Sequence, residues 1–473
     1  MIKYNSMNAE LLEALKAVLG ERFVSMDPEK LDIYKTDEEA NPKYHHMPEV
    51  IVFPENTEQV VAVVRLANQY NIPITPRGAG TGLAGGAIPV YGGIVLVMDR
   101  MDKILEFNED SLYVVAQAGV RTEVIQKEAK NRGLLYAGDP CSSDSCQIGG
   151  NVATNAGGNR AVRYGTTREQ VYAIEVVTPE GDIVNLGSRL AKKSTGFALE
   201  QLLIGAEGTL GIITAVTLRL KPLPPHKMDM VAIFDNVDKA LSLPNKVAKA
   251  GLNPTSMEFL TNNAISSTGR FLKIDLPYAN SGGVWIIITI EEFSPDVLDE
   301  KIELLDELCT AEGALEVLMA DEDRIWKTRR NVAEASRAES MVYFPEDIVV
   351  PTDKIADIMK KLPQLESKYE FSTHTVAHIG DGNIHVNVLK GDLPDEIWNA
   401  KLDQFHDELY AYVYELGGRL SGEHGIGSKK VKEMEKFTDP VELKLMRAVK
   451  QAFDPKCILN PGKIFTIPHD CNK

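Results

Sequence analysis

PRGAGTGLAGGAIP, Pro76 to Pro89, is the stretch on which the reading of this chain turns. It follows an apolar run that predicts a short strand over 72–75, so it stands where a dinucleotide-binding fold keeps its phosphate turn. In that fold the glycines run straight into a helix whose N-terminus receives the pyrophosphate. Here more glycine and a proline follow, and then another strand over 94–98. That order argues against a nicotinamide-type fingerprint. It leaves a nest of backbone N–H groups beside Arg77, able to surround a pyrophosphate without a helix.

Three further segments point to an extended ligand. GDPCSSDSCQIGGNVATNAGGNRAVRYG, 138–165, mixes glycines with short hydroxyl and amide side chains, which let backbone approach a planar ring and supply donors and acceptors along its edge. GAEGTLGIIT, 205–214, adds a second close-approach turn, and NPGKIF, 460–465, brings a polar turn and Lys463 at the end of the chain.

Working outward, the residues before the glycine stretch predict a helix capped by Asn56 or Thr57, with Val60, Val61, Val64 and Leu66 apolar. Strands follow over 113–118, 171–178 and 212–220, and a helix over 122–132. The proline cluster KPLPP ends at Pro225 and marks a boundary, because proline continues neither a ladder nor a helix. Beyond it strands are expected over 285–290, 315–319, 370–377 and 384–389. Helices are expected over 297–308, 353–362, 394–416 and 441–453. The fold class is α+β, with a cofactor domain over 1–225 and a second α/β domain on an antiparallel sheet over 226–425. A segment over 426–473 returns to the first domain.

Composition bounds the function. The 473 residues are 44% hydrophobic and 25% charged, an ordinary globular balance that is too long for one core. A formal net charge of −17 argues against nucleic-acid binding, which rests on cation contacts. Cys141, Cys146, Cys309, Cys457 and Cys471 are scattered, as suits a reducing compartment, and no iron–sulfur spacing occurs. Leu11, Leu12, Leu15 and Leu19 make the first helix amphipathic rather than a signal peptide, and no apolar run is long enough to span a bilayer. A cytoplasmic protein is expected, associated at most peripherally with a membrane electron-transfer partner.

The C-terminal half carries the second chemical signal. AHIGDGNIH places His378 and His385 on either side of a Gly-Asp-Gly turn, and SGEHGIG places Glu423 beside His424. In IHVNV, alternation sets His385 and Asn387 on the face opposite Ile384, Val386 and Val388. Two imidazoles and a carboxylate are a ligand set for one divalent metal, with His424 left to move a proton. Zinc leads on affinity, and manganese and iron(II) are compatible. Asp381 reads as a turn residue and His374 as a peripheral strand residue. In IWKTRRNVAEASR, Arg329 and Arg330 offer planar forks for a carboxylate.

RGAGTGLAGG, IGGNVATNAGG with RYG, GAEGTLG, HIGDGNIH, SGEHGIG and NPGKIF together closely resemble FAD-linked 2-hydroxyacid dehydrogenases of the vanillyl-alcohol-oxidase fold. That family includes the flavin subunit of glycolate oxidase, D-lactate dehydrogenases and D-2-hydroxyglutarate dehydrogenases. The resemblance implies that Arg77, Gly78, Ala79, Gly80, Thr81 and Gly82 serve the FAD pyrophosphate. It sets Pro140, Ser142, Gly149, Gly150, Asn155, Gly157 and Gly158 along the flavin and its linker. Gly208 is a further cofactor residue, Ile213 falls beside the adenine half, and Asn460 comes from the C-terminal segment. With no histidine in the glycine turn, the FAD is expected to be non-covalent.

The same resemblance assigns His378, His385 and Glu423 as metal ligands, His424 as catalytic base and Arg329 as the substrate-carboxylate anchor. The implied reaction is oxidation of a D-2-hydroxy acid to the 2-keto acid: His424 takes the hydroxyl proton while the α-hydrogen leaves as hydride, a carbanion route being the alternative. Ala333 stands where relatives acting on 2-hydroxyglutarate carry threonine, and NVAEASRAESMVYFPEDIVVP holds no lysine, which favours a D-lactate-like or glycolate-like substrate. The alternatives are a D-2-hydroxyglutarate or larger D-2-hydroxyacid dehydrogenase, or a non-catalytic flavin-bearing subunit of an assembly. Electrons are expected to pass to an external acceptor: an electron-transferring flavoprotein, an iron–sulfur subunit or a quinone-linked partner. A homodimer is compatible with the chain.

Overall fold

A computed structural model describes residues 3–39, 41–190 and 192–467. The chain forms two compact units, one of Met1–Gly157, Thr166–Leu223 and Glu423–Lys473, the other of Gly158–Gly165 and Pro224–Gly422. The excursion Gly158–Gly165 thus leaves the stretch expected to form one domain. It is held within the second unit by Arg163, whose Nη1 donates to the Glu291 carbonyl at 2.6 Å.

In the first unit, helix Ala9–Leu19 buries Leu11, Leu15 and Leu19, with Leu12 packed at the cluster's edge. Helix Thr57–Tyr70 is capped by Asn56, whose side chain accepts from the Gln59 N–H, and ends at left-handed Asn71. A four-stranded sheet runs in the order Val24–Ser25, Val50–Val52, Ile94–Val97, Ile74–Arg77, and its last three strands are parallel. Parallel neighbours need a crossover. Between Ile74–Arg77 and Ile94–Val97 the glycine-rich stretch is that crossover, without a helix or strand of its own. On the other side of Ile74, the C-terminal segment adds a parallel bridge at Leu459.

A five-stranded antiparallel sheet completes this unit, in the order Ile104–Asn108, Tyr113–Gln117, Ile212–Arg219, Val171–Val177, Ile183–Gly187. The two edge strands are not evident in the sequence because they bury little and show no clean alternation.

The second unit is built on a seven-stranded antiparallel sheet in the order Glu316–Met319, His226–Phe234, Val284–Glu292, Ser256–Leu260, Ser372–His378, Asn383–Leu389, Tyr343–Val349. Strands His226–Phe234, Ser256–Leu260 and Tyr343–Val349 are additions to the expected set, as are helices Val237–Lys249 and Asn262–Leu272. On one face Val231, Ile233, Leu260, Trp285, Ile287 and Val376 pack with Ala264, Ile265, Trp326 and Val332. Helix Ile355–Tyr369 runs through Pro363, where a stop was expected, because Ile358, Leu362 and Leu365 remain buried across it. No helix among the described residues is long and apolar enough to cross a membrane.

Cys141, Cys146 and Cys309 are thiols. Cys471 lies outside the described residues.

Candidate active site

The first unit holds a cleft of about 280 Å³ over the glycine-rich crossover. Of the residues expected at the cofactor, Arg77, Gly78, Ala79, Gly80, Thr81, Gly82, Pro140, Ser142, Gly149, Gly150, Gly157, Gly208 and Ile213 line it. Cys141, which is exposed, and buried Cys146 line it too as small residues.

Helix Ile148–Thr154 shows how the cleft fits a flat ring. A Cβ added at Gly149 would meet Ala118 Cβ at 2.6 Å, so this glycine lets the helix close on strand Tyr113–Gln117 and the residue after it. A Cβ at Gly150 would meet no protein atom within 4 Å. Gly150 therefore keeps open a surface that packing does not require to be open, which is the cradle a large planar cofactor needs.

Three expected cofactor residues do not line the cleft. The Asn155 side chain accepts from Thr166 Oγ1 and the Arg168 N–H, each at 2.9 Å, and so braces the chain after the helix. Gly158 belongs to the second unit. Asn460 donates through Nδ2 to the carbonyls of Gly86 at 2.9 Å and Glu207 at 2.7 Å. Arg77 does line the cleft, but its guanidinium lies over the Tyr34 ring and donates to the Thr36 carbonyl at 2.5 Å. It buttresses the glycine turn: a Cβ at Gly80 would meet the guanidinium at 2.1 Å.

The C-terminal segment clamps the crossover by its carbonyls. Lys429 Nζ donates to Leu83 O at 3.0 Å and Lys463 Nζ to Ile88 O at 2.6 Å. The backbone N–H groups of Ser428 and Lys429 both reach Ala84 O. Lys429 also pairs with Glu39. Burial pulls the Lys463 ammonium down to about 7, against the opposing charges of Glu207 and Asp37.

Glu423 and His424 open onto this same cleft. Their loop is set by Glu207, a buried residue in left-handed conformation, φ 52°. Its two carboxylate oxygens accept the N–H groups of Ile426 and Gly427, each at 2.8 Å. Burial raises the Glu207 carboxyl above the usual range against those two bonds. Gly157 packs directly under Glu423, since a Cβ there would meet Glu423 Oε2 at 2.4 Å.

In the second unit, register gathers the other predicted groups. His378 stands opposite Glu258 and Asn383, and His385 opposite Val376 and Asp347. Opposed residues share a face, so all of these point to one side of the sheet. Ile384, Val386 and Val388 are fully buried on the other side, while Asn387 lies with His385. The rings of His378 and His385 are 5.2 Å apart at their centroids.

Each of these histidines has a fully buried carboxylate behind it. Glu258 Oε1 lies 2.6 Å from His378 Nδ1. Asp347 Oδ1 lies 3.8 Å from His385 Nδ1. Asp347 also accepts from Asn383 Nδ2 at 2.8 Å, Ser421 Oγ at 2.5 Å and the Gly422 N–H at 3.1 Å. An imidazole that donates Nδ1–H to a carboxylate, as His378 does to Glu258, presents its Nε2 lone pair, the state a metal ligand needs. The donor chemistry on this face therefore fits a divalent metal.

Arg329 is buried, and its Nε donates to Glu258 Oε2 at 2.7 Å. Burial pushes the Glu258 carboxyl up, but His378 and Arg329 outweigh it and hold the group below the usual carboxylate range. Ala333 is exposed on helix Val332–Glu339. Asp381 accepts from the Asn383 N–H at 3.2 Å and tightens the turn, as expected. His374 is buried rather than peripheral, with Nδ1 2.8 Å from Ser336 Oγ. Glu207, Glu258, Asp347 and Lys429 are not singled out by the sequence. The one signal it offers is an acid set among residues that fold inward, in GAEGTLG, SMEFL and YFPEDIVV.

A sequence profile described as "FAD linked oxidases, C-terminal domain" matches residues 223–464, and one described as "FAD binding domain" matches residues 48–187. The chain is 37% identical to a D-lactate dehydrogenase of Anaerostipes hadrus over 98% of both chains. It is 34% identical to the glycolate oxidase subunit GlcD of Bacillus subtilis (strain 168) over 92% of both. Among solved structures, p-cresol methylhydroxylase with bound substrate matches with a TM-score of 0.83 over 99% of both chains at 17% identity, a likeness of fold alone. The α+β architecture with its second, sheet-based domain is that of the fold relatives. The chain belongs to the family of FAD-linked 2-hydroxyacid oxidases and dehydrogenases and is a flavoenzyme.

Proposed function

We propose that the protein oxidises a small D-2-hydroxy acid, lactate-like or glycolate-like, to the 2-keto acid and passes the electrons to an external acceptor. The observation that carries this reading is that Glu423 and His424 open onto the same cleft as the glycine-rich crossover. On this reading a group able to move a proton lies beside the cofactor. FAD, bound non-covalently, would supply the acceptor for the substrate's α-hydrogen and its two electrons, taken together as hydride. His378, His385 and Glu423 would hold one divalent metal, zinc first on affinity, which would acidify the substrate hydroxyl. Arg329 binds the substrate carboxylate, and His424 takes the hydroxyl proton at an imidazole nitrogen. The absence of lysine from 331–351 favours a side chain without a distal carboxylate.

The test is anaerobic flavin absorbance of FAD- and metal-replete protein, titrated with glycolate and with D- and L-forms of lactate, 2-hydroxybutyrate, malate and 2-hydroxyglutarate. Bleaching by D-lactate or glycolate, abolished by His424→Ala with FAD retained, is expected. Bleaching by 2-hydroxyglutarate alone would overturn the substrate assignment. No bleaching by any acid would overturn the catalytic reading.

A further inference from the structure

Glu258 is buried completely, on a strand whose neighbours on both sides are also buried. A lone carboxylate in such a place is costly unless its partners return the energy. Here the two oxygens have different partners. Oε1 receives His378 Nδ1 at 2.6 Å, and Oε2 receives Arg329 Nε at 2.7 Å. His378 is the residue proposed above to ligate the metal, and Arg329 the residue proposed to hold the substrate carboxylate.

We propose that Glu258 is a positioning residue that sets the tautomer of His378 and the orientation of Arg329 at once. This deepens the metal-assisted reading and rests on it. With Nδ1–H donated to Oε1, His378 presents Nε2 as a lone pair. With Nε–H donated to Oε2, Arg329 has its side-on edge engaged, so an incoming carboxylate must meet the Nη1/Nη2 end of the guanidinium. One carboxylate thus supports both metal binding and substrate binding.

Glutamine at this position has one acceptor and one donor, so it cannot serve both partners. If its oxygen faces Arg329, its amide donates to His378 Nδ1 and forces the proton to Nε2, which blocks ligation. If its oxygen faces His378, its amide opposes Arg329 Nε–H and the guanidinium turns away. Glu258→Gln therefore must lose metal affinity or substrate affinity.

The experiment uses the full-length FAD-loaded protein and reads zinc affinity by chelator competition, FAD content by absorbance, and KM and kcat with the best substrate of the titration panel. Loss of a ligand's outer carboxylate typically weakens metal binding about 10–100-fold. Glu258→Gln is expected to show that loss, or a KM raised by a similar factor at full metal loading, with FAD content unchanged in either case. Because Glu258→Gln leaves Arg329 buried without its counter-charge, Glu258→Gln/Arg329→Met is measured beside it. With Arg329 gone, the glutamine oxygen is free to accept from His378 Nδ1, so the double variant should bind zinc as tightly as Arg329→Met alone, and a further loss of about 10–100-fold would overturn the tautomer argument. A merely structural role would lower yield and melting temperature but leave the zinc affinity and KM of the folded protein at wild-type values, and that result would overturn the proposal. If wild-type protein binds no zinc, or His378→Ala binds it as tightly as wild type, the metal reading itself fails.

Discussion

Adjacent glycines on helix Ile148–Thr154 should fail in opposite ways when a side chain is added. At Gly149 the new Cβ would lie 2.6 Å from Ala118 Cβ and 2.9 Å from Ala118 O. Strand and helix must separate, an overpacking that costs about 1–3 kcal/mol. At Gly150 nothing lies within 4 Å. Replacing the helical glycine there by valine gains roughly a few tenths of a kcal/mol of helix propensity. The added side chain instead enters the cleft. With FAD at 100 times its Kd, the wild-type protein should gain about 2.7 kcal/mol from the ligand. Gly149→Ala should therefore unfold earlier with or without FAD, whereas Gly150→Val should be at least as stable as wild type without FAD and gain nothing when FAD is added. Urea unfolding followed by far-UV circular dichroism, in FAD-stripped and FAD-saturated protein, measures both quantities. Stoichiometric FAD in purified Gly150→Val, with the full ligand-induced shift, would refute the placement of the cofactor against this helix.

The other predictions concern groups held by buried charge. Glu207→Gln leaves one of the Ile426 and Gly427 N–H groups facing an amide donor, at a cost of about 1–3 kcal/mol. It should lower the unfolding midpoint and slow substrate-driven flavin reduction, and equal midpoints would count against the loop-setting role. Asp347→Asn cannot satisfy Asn383, Ser421 and Gly422 together, and it removes the carboxylate behind His385. Zinc affinity should fall about 10–100-fold while FAD content holds; unchanged affinity in chelator competition would exclude Asp347 from that task. Lys463, pulled down to about 7 by burial, binds fewer protons folded than unfolded above that pH. Its penalty is full below about pH 7 and is relieved as pH rises towards the unfolded value near 10.4, with a slope of at most about 1.4 kcal/mol per unit. Wild type should gain stability relative to Lys463→Met across that window, and parallel pH–stability curves would show that the lysine is not buried as described.

Local signals are legible where chemistry and chain order coincide. The strand–glycine–strand order around Pro76 to Pro89 excludes one cofactor fold on chain order alone, and the crossover between Ile74–Arg77 and Ile94–Val97 is the physical form of that order. Alternation in IHVNV correctly sets His385 and Asn387 against Ile384, Val386 and Val388. Asn460 shows the limit. Its motif is recognisable, but only the fold reveals that its Nδ2 donates to the carbonyls of Gly86 and Glu207, 374 and 253 positions away.

Glu258 is illegible for a more instructive reason. In SMEFL, serine, glutamate and leucine alternate with methionine and phenylalanine, so the strand reads as half-solvated with its acid towards water. All five residues are buried. The partners that make burial tolerable stand 71 and 120 positions away, and neither spacing carries a period that a helix or strand would impose. What the segment does hold is a contradiction: an acid in a short strand with no cation nearby in sequence. Charges are rarely buried unpaired. Such an acid either faces solvent or answers a distant cation or imidazole, and in a chain already suspected of a two-histidine site the second branch names its own partners. The same logic applies to Asp347 in YFPEDIVV, where Glu346 and Asp347 are both fully buried on consecutive, opposite faces. Two adjacent acids pointing to opposite sides of one strand cannot both reach water if the sheet is covered on both faces. Each then needs a buried partner: Tyr410 Oη donates to Glu346 Oε2 at 2.5 Å, and Asp347 lies beside His385.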